Sequence, residues 1–106
     1  MEKIVIEFPP EGVLNERFIA TFGITIKQLM QKMFGGERVP FIVKGTPKQV
    51  KAFAKAMVSE KDYYRTYKKY GLDNPKTYRS KFMLKRAIAE FEKKTGMKWP
   101  LKFRNQ

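Results

Sequence analysis

Two short β-branched runs stand far apart in this chain, and the sequence between them has helical spacing. In Lys3-Ile4-Val5-Ile6-Glu7-Phe8, alternation places Ile4, Ile6 and Phe8 on one face of a strand. Arg38-Val39-Pro40-Phe41-Ile42-Val43-Lys44 reads as a second strand. Pro40 belongs near its start or on an edge, because proline has no N–H to give to a ladder. A tight hairpin cannot join runs this far apart. If the two share a sheet, the helical connection makes them a parallel pair.

The helices are marked by their punctuation. Pro9-Pro10-Glu11-Gly12 ends the first strand, and from Val13 to Phe22 the residues Leu14, Phe18 and Phe22 recur at a spacing of four. Gly23 is expected to interrupt this short helix. Thr25-Ile26-Lys27-Gln28 has the pattern of a capping box and predicts a second helix carrying Leu29, Met30, Met33 and Phe34, stopped by Gly35-Gly36. The sharpest signal is Thr46-Pro47-Lys48-Gln49: an N-cap threonine, proline at the first helical position and glutamine at the third. That helix should run to Tyr70, with Gly71 as a left-handed cap and Leu72 folding back. Asp73-Asn74-Pro75 opens a last helix from Lys76 to about Lys94, closed by Thr95-Gly96. Met97 to Phe103, with Trp99, Leu101 and Phe103 alternating, reads as a third strand or an apolar strap across the core. The expectation is a single α+β domain over residues 1–106, with a two- or three-stranded sheet packed on three to four helices. At 106 residues there is room for one core, and 42% hydrophobic and 14% aromatic residues can fill it.

The chain has neither cysteine nor histidine. Disulfides, thiolate metal sites and cysteine nucleophiles are excluded, and so are the commonest general base and the commonest metal ligand. Glu60 and Asp62 point apart on their helix, as do Glu90 and Glu92, and they read as partners for nearby lysines. The strand–Lys44-Gly45-Thr46–helix junction offers amide groups to an anion, but the P-loop spacing is absent and an ordinary capped turn fits it better. The sequence therefore predicts no enzyme, no cofactor and no metal site. No apolar run reaches the length of a membrane span, and the first ten residues lack the pattern of a signal peptide. A cytoplasmic protein with no membrane partner is expected.

Charge is the strongest functional signal. The net charge is +13. Residues 1–45 carry six basic and five acidic side chains, a net of +1; residues 46–106 carry seventeen and five, a net of +12. Solubility alone asks for a net charge of about 2–8 in magnitude. Lysines outnumber arginines seventeen to six. Lysine is a point charge without the planar fork that reads base edges, so such a surface suits the phosphate backbone.

Helical geometry sorts these charges into faces. On the long helix Val50, Phe53, Ala54, Met57 and Tyr64 form the expected core face, and Lys48, Lys51, Lys55 and Lys69 lie on another. Tyr63, Tyr67 and Tyr70 make a third strip beside Ala52 and Ala56. They could stack on bases while lysines follow the phosphates, or pack against the last helix with hydroxyls at the surface. On the last helix Thr77, Leu84, Ala87, Ile88 and Phe91 face inward. Nearly opposite lie Arg79, Phe82, Arg86 and Lys93, with Tyr78 at the margin. The candidate nucleic-acid-binding residues are Lys48, Lys51, Lys55, Tyr63, Tyr67, Lys69, Tyr70, Arg79, Phe82, Arg86 and Lys93.

Several runs in the C-terminal half carry a resemblance to known proteins. They are Val43-Lys44-Gly45-Thr46, Ala52-Phe53-Ala54-Lys55-Ala56, Ser59-Glu60-Lys61, Tyr70-Gly71-Leu72-Asp73-Asn74-Pro75-Lys76-Thr77 and Phe91-Glu92-Lys93-Lys94-Thr95-Gly96-Met97-Lys98-Trp99-Pro100. Over about residues 43–103 the chain resembles small uncharacterised accessory proteins of large tailed bacteriophages. The resemblance implies a viral accessory protein made in a bacterial cytoplasm, and it carries no catalytic residues with it. Two functions are then in view. One is a non-enzymatic, weakly sequence-specific nucleic-acid-binding protein. The other is an interaction module that docks on an acidic protein surface, such as a host enzyme.

Overall fold

The computed structural model describes residues 4–10 and 15–101. Its elements are β1 (Ile4–Glu7), α1 (Glu16–Phe34), β2 (Phe41–Lys44), α2 (Pro47–Tyr70) and α3 (Pro75–Thr95). The protein is a compact α+β domain in which β1 and β2 pair in parallel, Ile4 opposite Phe41 and Ile6 opposite Val43. The ladder is extended at both ends, by Ile4 N–H donating to Pro40 O and Phe8 N–H donating to Lys44 O. Pro40 sits just before β2, where its missing N–H costs nothing. Alternation holds: Ile6 and Phe8 are buried, while Val5 and Ile42 lie on the opposite, exposed face.

Gly23 does not interrupt the first helix. A single α1 runs through it from the N-cap Asn15, whose Oδ1 accepts from Phe18 N–H at 2.7 Å. Thr25 is an interior residue and caps nothing. A mid-helix glycine costs about 1 kcal/mol relative to alanine. Here it lies within a helix that buries Phe22, Ile26, Leu29 and Met30. Val13 and Leu14 lie outside the described residues, as do Lys3 and Phe103.

The predicted α2 start is formed in full. Thr46 Oγ1 accepts from Gln49 N–H, and Gln49 Oε1 accepts from Thr46 N–H at 2.8 Å. The Gln49 amide also donates to Pro9 O at 3.0 Å, tying the helix start to the end of β1. The Lys44-Gly45-Thr46 junction is thus a capped turn. Gly71 ends α2 at φ 84°, ψ 173°, an extended glycine conformation in place of the expected left-handed cap. Leu72 stays exposed instead of folding back. Gly96, at φ 76° and ψ 6°, is a left-handed cap for α3.

The core is aromatic. Phe8 after β1, Phe22 of α1, Phe53 of α2 and Phe91 of α3 bring their ring centroids within 5.6–6.4 Å of one another in all six pairings. The end of β1 and each of the three helices therefore contribute one ring to a common centre. Residues 97–101 form no strand. They are the strap: Met97 and Trp99 are buried, and Trp99 sits edge-on to Phe91 at 5.0 Å.

Candidate nucleic-acid interface

Packing of α2 against α3 decides what reaches the surface. The two helices run antiparallel, joined by Gly71-Leu72-Asp73-Asn74. Thr77 Oγ1 donates to Gly71 O at 2.6 Å, and Ser80 Oγ lies 3.1 Å from Thr66 Oγ1 and 3.5 Å from Asp62 Oδ2. These polar links run along the seam and fix the register. The buried stripe of α2 is Gln49, Ala52, Phe53, Ala56, Met57 and Tyr63. It is turned from the expected one toward α3. Ala54 is exposed and Tyr64 half-buried, whereas the alanines beside the tyrosine strip are buried. Small residues at that seam let two helices approach closely.

This rotation dismantles the three-tyrosine platform. Tyr63 is 9% exposed, and its ring lies 5.7 Å from that of Tyr67, nearly parallel to it. It is a packing residue and cannot stack on a base. Burial, Tyr67 and Glu60 raise its pKa. Tyr67 is half-buried. Tyr70 reaches the surface, but Lys76 Nζ sits 4.5 Å and Lys69 Nζ 5.3 Å from its ring centroid. Hydrogen bonding to Lys76 and Lys69, with their charges, lowers the Tyr70 pKa.

The remaining candidates lie exposed on the outer sides of the two helices. Lys48, Lys51 and Lys55 line a recess of about 250 Å³ with Ala52 of α2 and Glu90 and Lys94 of α3. Lys94 was missed by the sequence reading; it pairs with Glu90 at 4.0 Å, one turn away. Lys69 is exposed at the far end of α2. On α3 Arg79, Phe82, Arg86 and Lys93 are all exposed, as the periodicity predicted. Phe82 is 59% exposed, and the Arg86 guanidinium lies 5.9 Å from its ring centroid. Val58 and Met83 are exposed apolar residues on the same hairpin.

Two acids have roles other than pairing with lysine. Glu60 Oε1 accepts from the Trp99 indole N–H at 2.9 Å, and Glu92 Oε2 accepts from the Trp99 backbone N–H at 3.2 Å. They latch the strap to α2 and α3. Burial raises the Glu60 pKa, and the Trp99 hydrogen bond offsets this in part. Among the described residues no three acidic side chains converge to hold a metal ion, and no helix is long and apolar enough to cross a membrane.

The fold and this surface together define a class: a small α+β domain with a parallel strand pair and a basic helical hairpin. No family model, curated protein or solved structure matches the chain.

Proposed function

We propose that this chain is a non-enzymatic, weakly sequence-specific nucleic-acid-binding accessory protein, and that the outer face of the α2–α3 hairpin meets the phosphates. One observation carries the reading. Lys48, Lys51, Lys55 and Lys69 on α2, and Arg79, Arg86 and Lys93 on α3, are exposed on the outer sides of two adjacent antiparallel helices. From Lys48 to Lys69 the helix rises about 32 Å at 1.5 Å per residue. That matches about nine phosphates of one strand at 3.4 Å each. Lysine predominates, which favours backbone contact over base readout. Phe82, with Arg86 beside it, is the stacking residue for an unpaired base.

The test is a fluorescence anisotropy titration against labelled single-stranded DNA, duplex DNA and RNA over a salt series. Affinity should fall steeply with salt on each substrate that binds. Absence of binding at low salt, or binding indifferent to salt, refutes the proposal.

A second reading draws on Val58, Phe82 and Met83, which are 68%, 59% and 52% exposed on the same hairpin. Apolar anchors in a basic rim also suit an acidic protein surface, such as that of a host enzyme. Retention of a protein partner from nuclease-treated lysate would favour this reading over the first.

A further inference from the structure

A second basic region lies where α1 ends against α2. Phe34 and Tyr64 stack face to face there, with ring centroids 3.9 Å apart and planes within 8° of parallel. Beside them opens a cleft of about 400 Å³, lined by Met33, Phe34, Lys61, Tyr64, Arg65, Lys68 and Lys69. Its size falls in the range of about 300–1,000 Å³ that small-molecule sites occupy. Its wall is apolar and aromatic, and its rim is cationic throughout.

The rim charges are poorly explained by the fold alone. Lys68 and Lys69 lie in the last turn of α2, where cations complement the helix dipole. Lys61 and Arg65 lie further back, beyond that effect. Lys61, Arg65 and Lys68 share one helix face at spacings of four and three, where like charges repel. Among the described residues none of them has a carboxylate within ion-pairing distance. Lys68 Nζ instead sits 5.7 Å from the Tyr64 ring centroid. An anion held in the cleft would relieve the repulsion. The Arg65 fork suits a phosphate, and the methionine and aromatic wall suits a planar apolar group attached to it.

We propose that this cleft binds a phosphomonoester carried on a planar ring, a nucleoside monophosphate unit, with Arg65, Lys61 and Lys68 on the phosphate and Met33, Phe34 and Tyr64 against the ring. Such a unit has two sources, a free mononucleotide or the 5′-phosphorylated end of a strand. The site lies apart from the Lys48, Lys51 and Lys55 recess and shares only Lys69 with the proposed hairpin face; its phosphate contacts are Arg65, Lys61 and Lys68, so it stands whether or not the hairpin binds nucleic acid.

Calorimetric titration of the full chain with AMP, ribose 5-phosphate and adenosine tests it, with amide chemical shifts to locate the contact. AMP should saturate, bind at least fivefold more tightly than either ribose 5-phosphate or adenosine, and shift amides around Phe34, Tyr64, Arg65 and Lys68. The exposed double variant R65E/K68E should weaken AMP at least tenfold, and K27E/K44E, at exposed lysines outside both basic faces, less than twofold. Circular dichroism and Trp99 emission would check that both variants are folded. A 5′-phosphorylated tetranucleotide binding more tightly than AMP assigns the strand end as the source; the reverse assigns the free nucleotide. The proposal is overturned if AMP fails to saturate, if it binds no more tightly than ribose 5-phosphate, or if both double variants lose it equally.

Discussion

Replacing Glu60 separates its two roles, acceptor for Trp99 and partly buried charge. In Glu60→Ala the indole N–H of Trp99, a residue 6% exposed, loses its partner at 2.9 Å. An unsatisfied buried donor costs about 1–3 kcal/mol. With a urea m-value of about 1–3 kcal/mol/M for a domain this size, a loss of about 2 kcal/mol lowers the midpoint by about 1 M. Glu60→Gln keeps a carbonyl oxygen in reach of the indole and removes the charge that burial penalises. Its cost at neutral pH should stay under about 1 kcal/mol, since the weaker neutral hydrogen bond is offset by relief of desolvation. The pH dependence distinguishes the two roles further. Burial raises the folded pKa of Glu60 above the ordinary glutamate value of 4.5, so the folded state holds the proton more tightly. That contribution is fully present below 4.5 and is lost as pH rises through the folded pKa. Glu60→Gln has no such loss, so its stability relative to wild type should improve as pH climbs through that window. The assay is urea unfolding followed by the emission of the single tryptophan, Trp99, at several pH values. The reasoning fails if Glu60→Ala costs less than about 0.5 kcal/mol, below the range expected for an orphaned buried donor. It fails equally if Glu60→Gln is as damaging as Glu60→Ala.

Four other outcomes are expected. Phe53→Ala removes a ring that is 1% exposed and touches the rings of Phe8, Phe22, Phe41, Phe91 and Trp99; thermal and urea unfolding should show a loss of about 3–5 kcal/mol. Gly23→Ala places a methyl 3.7 Å from Pro100 Cβ, an ordinary contact, and should stabilise the protein by about 0.5–1 kcal/mol in the same assay. If Lys48, Lys51 and Lys55 each neutralise a phosphate, their triple replacement by alanine reduces the log–log salt slope of duplex binding by about 3, whereas an unchanged slope places the contact elsewhere. In ultraviolet titration the Tyr70 phenol should ionise below the ordinary tyrosine range and those of Tyr63 and Tyr78 above it, with Tyr70→Phe removing the early step.

Features governed by neighbours in sequence were legible. The Thr46–Gln49 box is closed by residues three apart, so its hydrogen bonds need no tertiary partner. The outward placement of Arg79, Phe82, Arg86 and Lys93 follows from the helix period, given that Leu84 and Phe91 must face inward. The Gly23 reading failed because a local penalty of about 1 kcal/mol was set against nothing. In the structure it is set against a buried stripe on both sides of the glycine. Of the two readings of Tyr63, the structure has the packing one; periodicity could not choose between them, because it gives angles between side chains but leaves the direction of the neighbouring helix open. Two alanines, Ala52 and Ala56, drew α3 to their side of α2 and took Tyr63 with them. The Phe34–Tyr64 stack left no trace in sequence, since its members come from different helices and meet only through their crossing.

The sequence by itself determined the wide spacing of the two strands, the caps that start α2 and α3, and the concentration of charge after Gly45. These rest on chain stereochemistry and composition, which act whatever else the molecule does. The tertiary structure decided that the two strands share one sheet, that one phenylalanine from the end of β1 and one from each helix meet at the centre, and that α2 turns Tyr63 inward and Tyr64 toward Phe34. Those outcomes depend on which apolar surfaces bury most area against each other, a competition among distant segments.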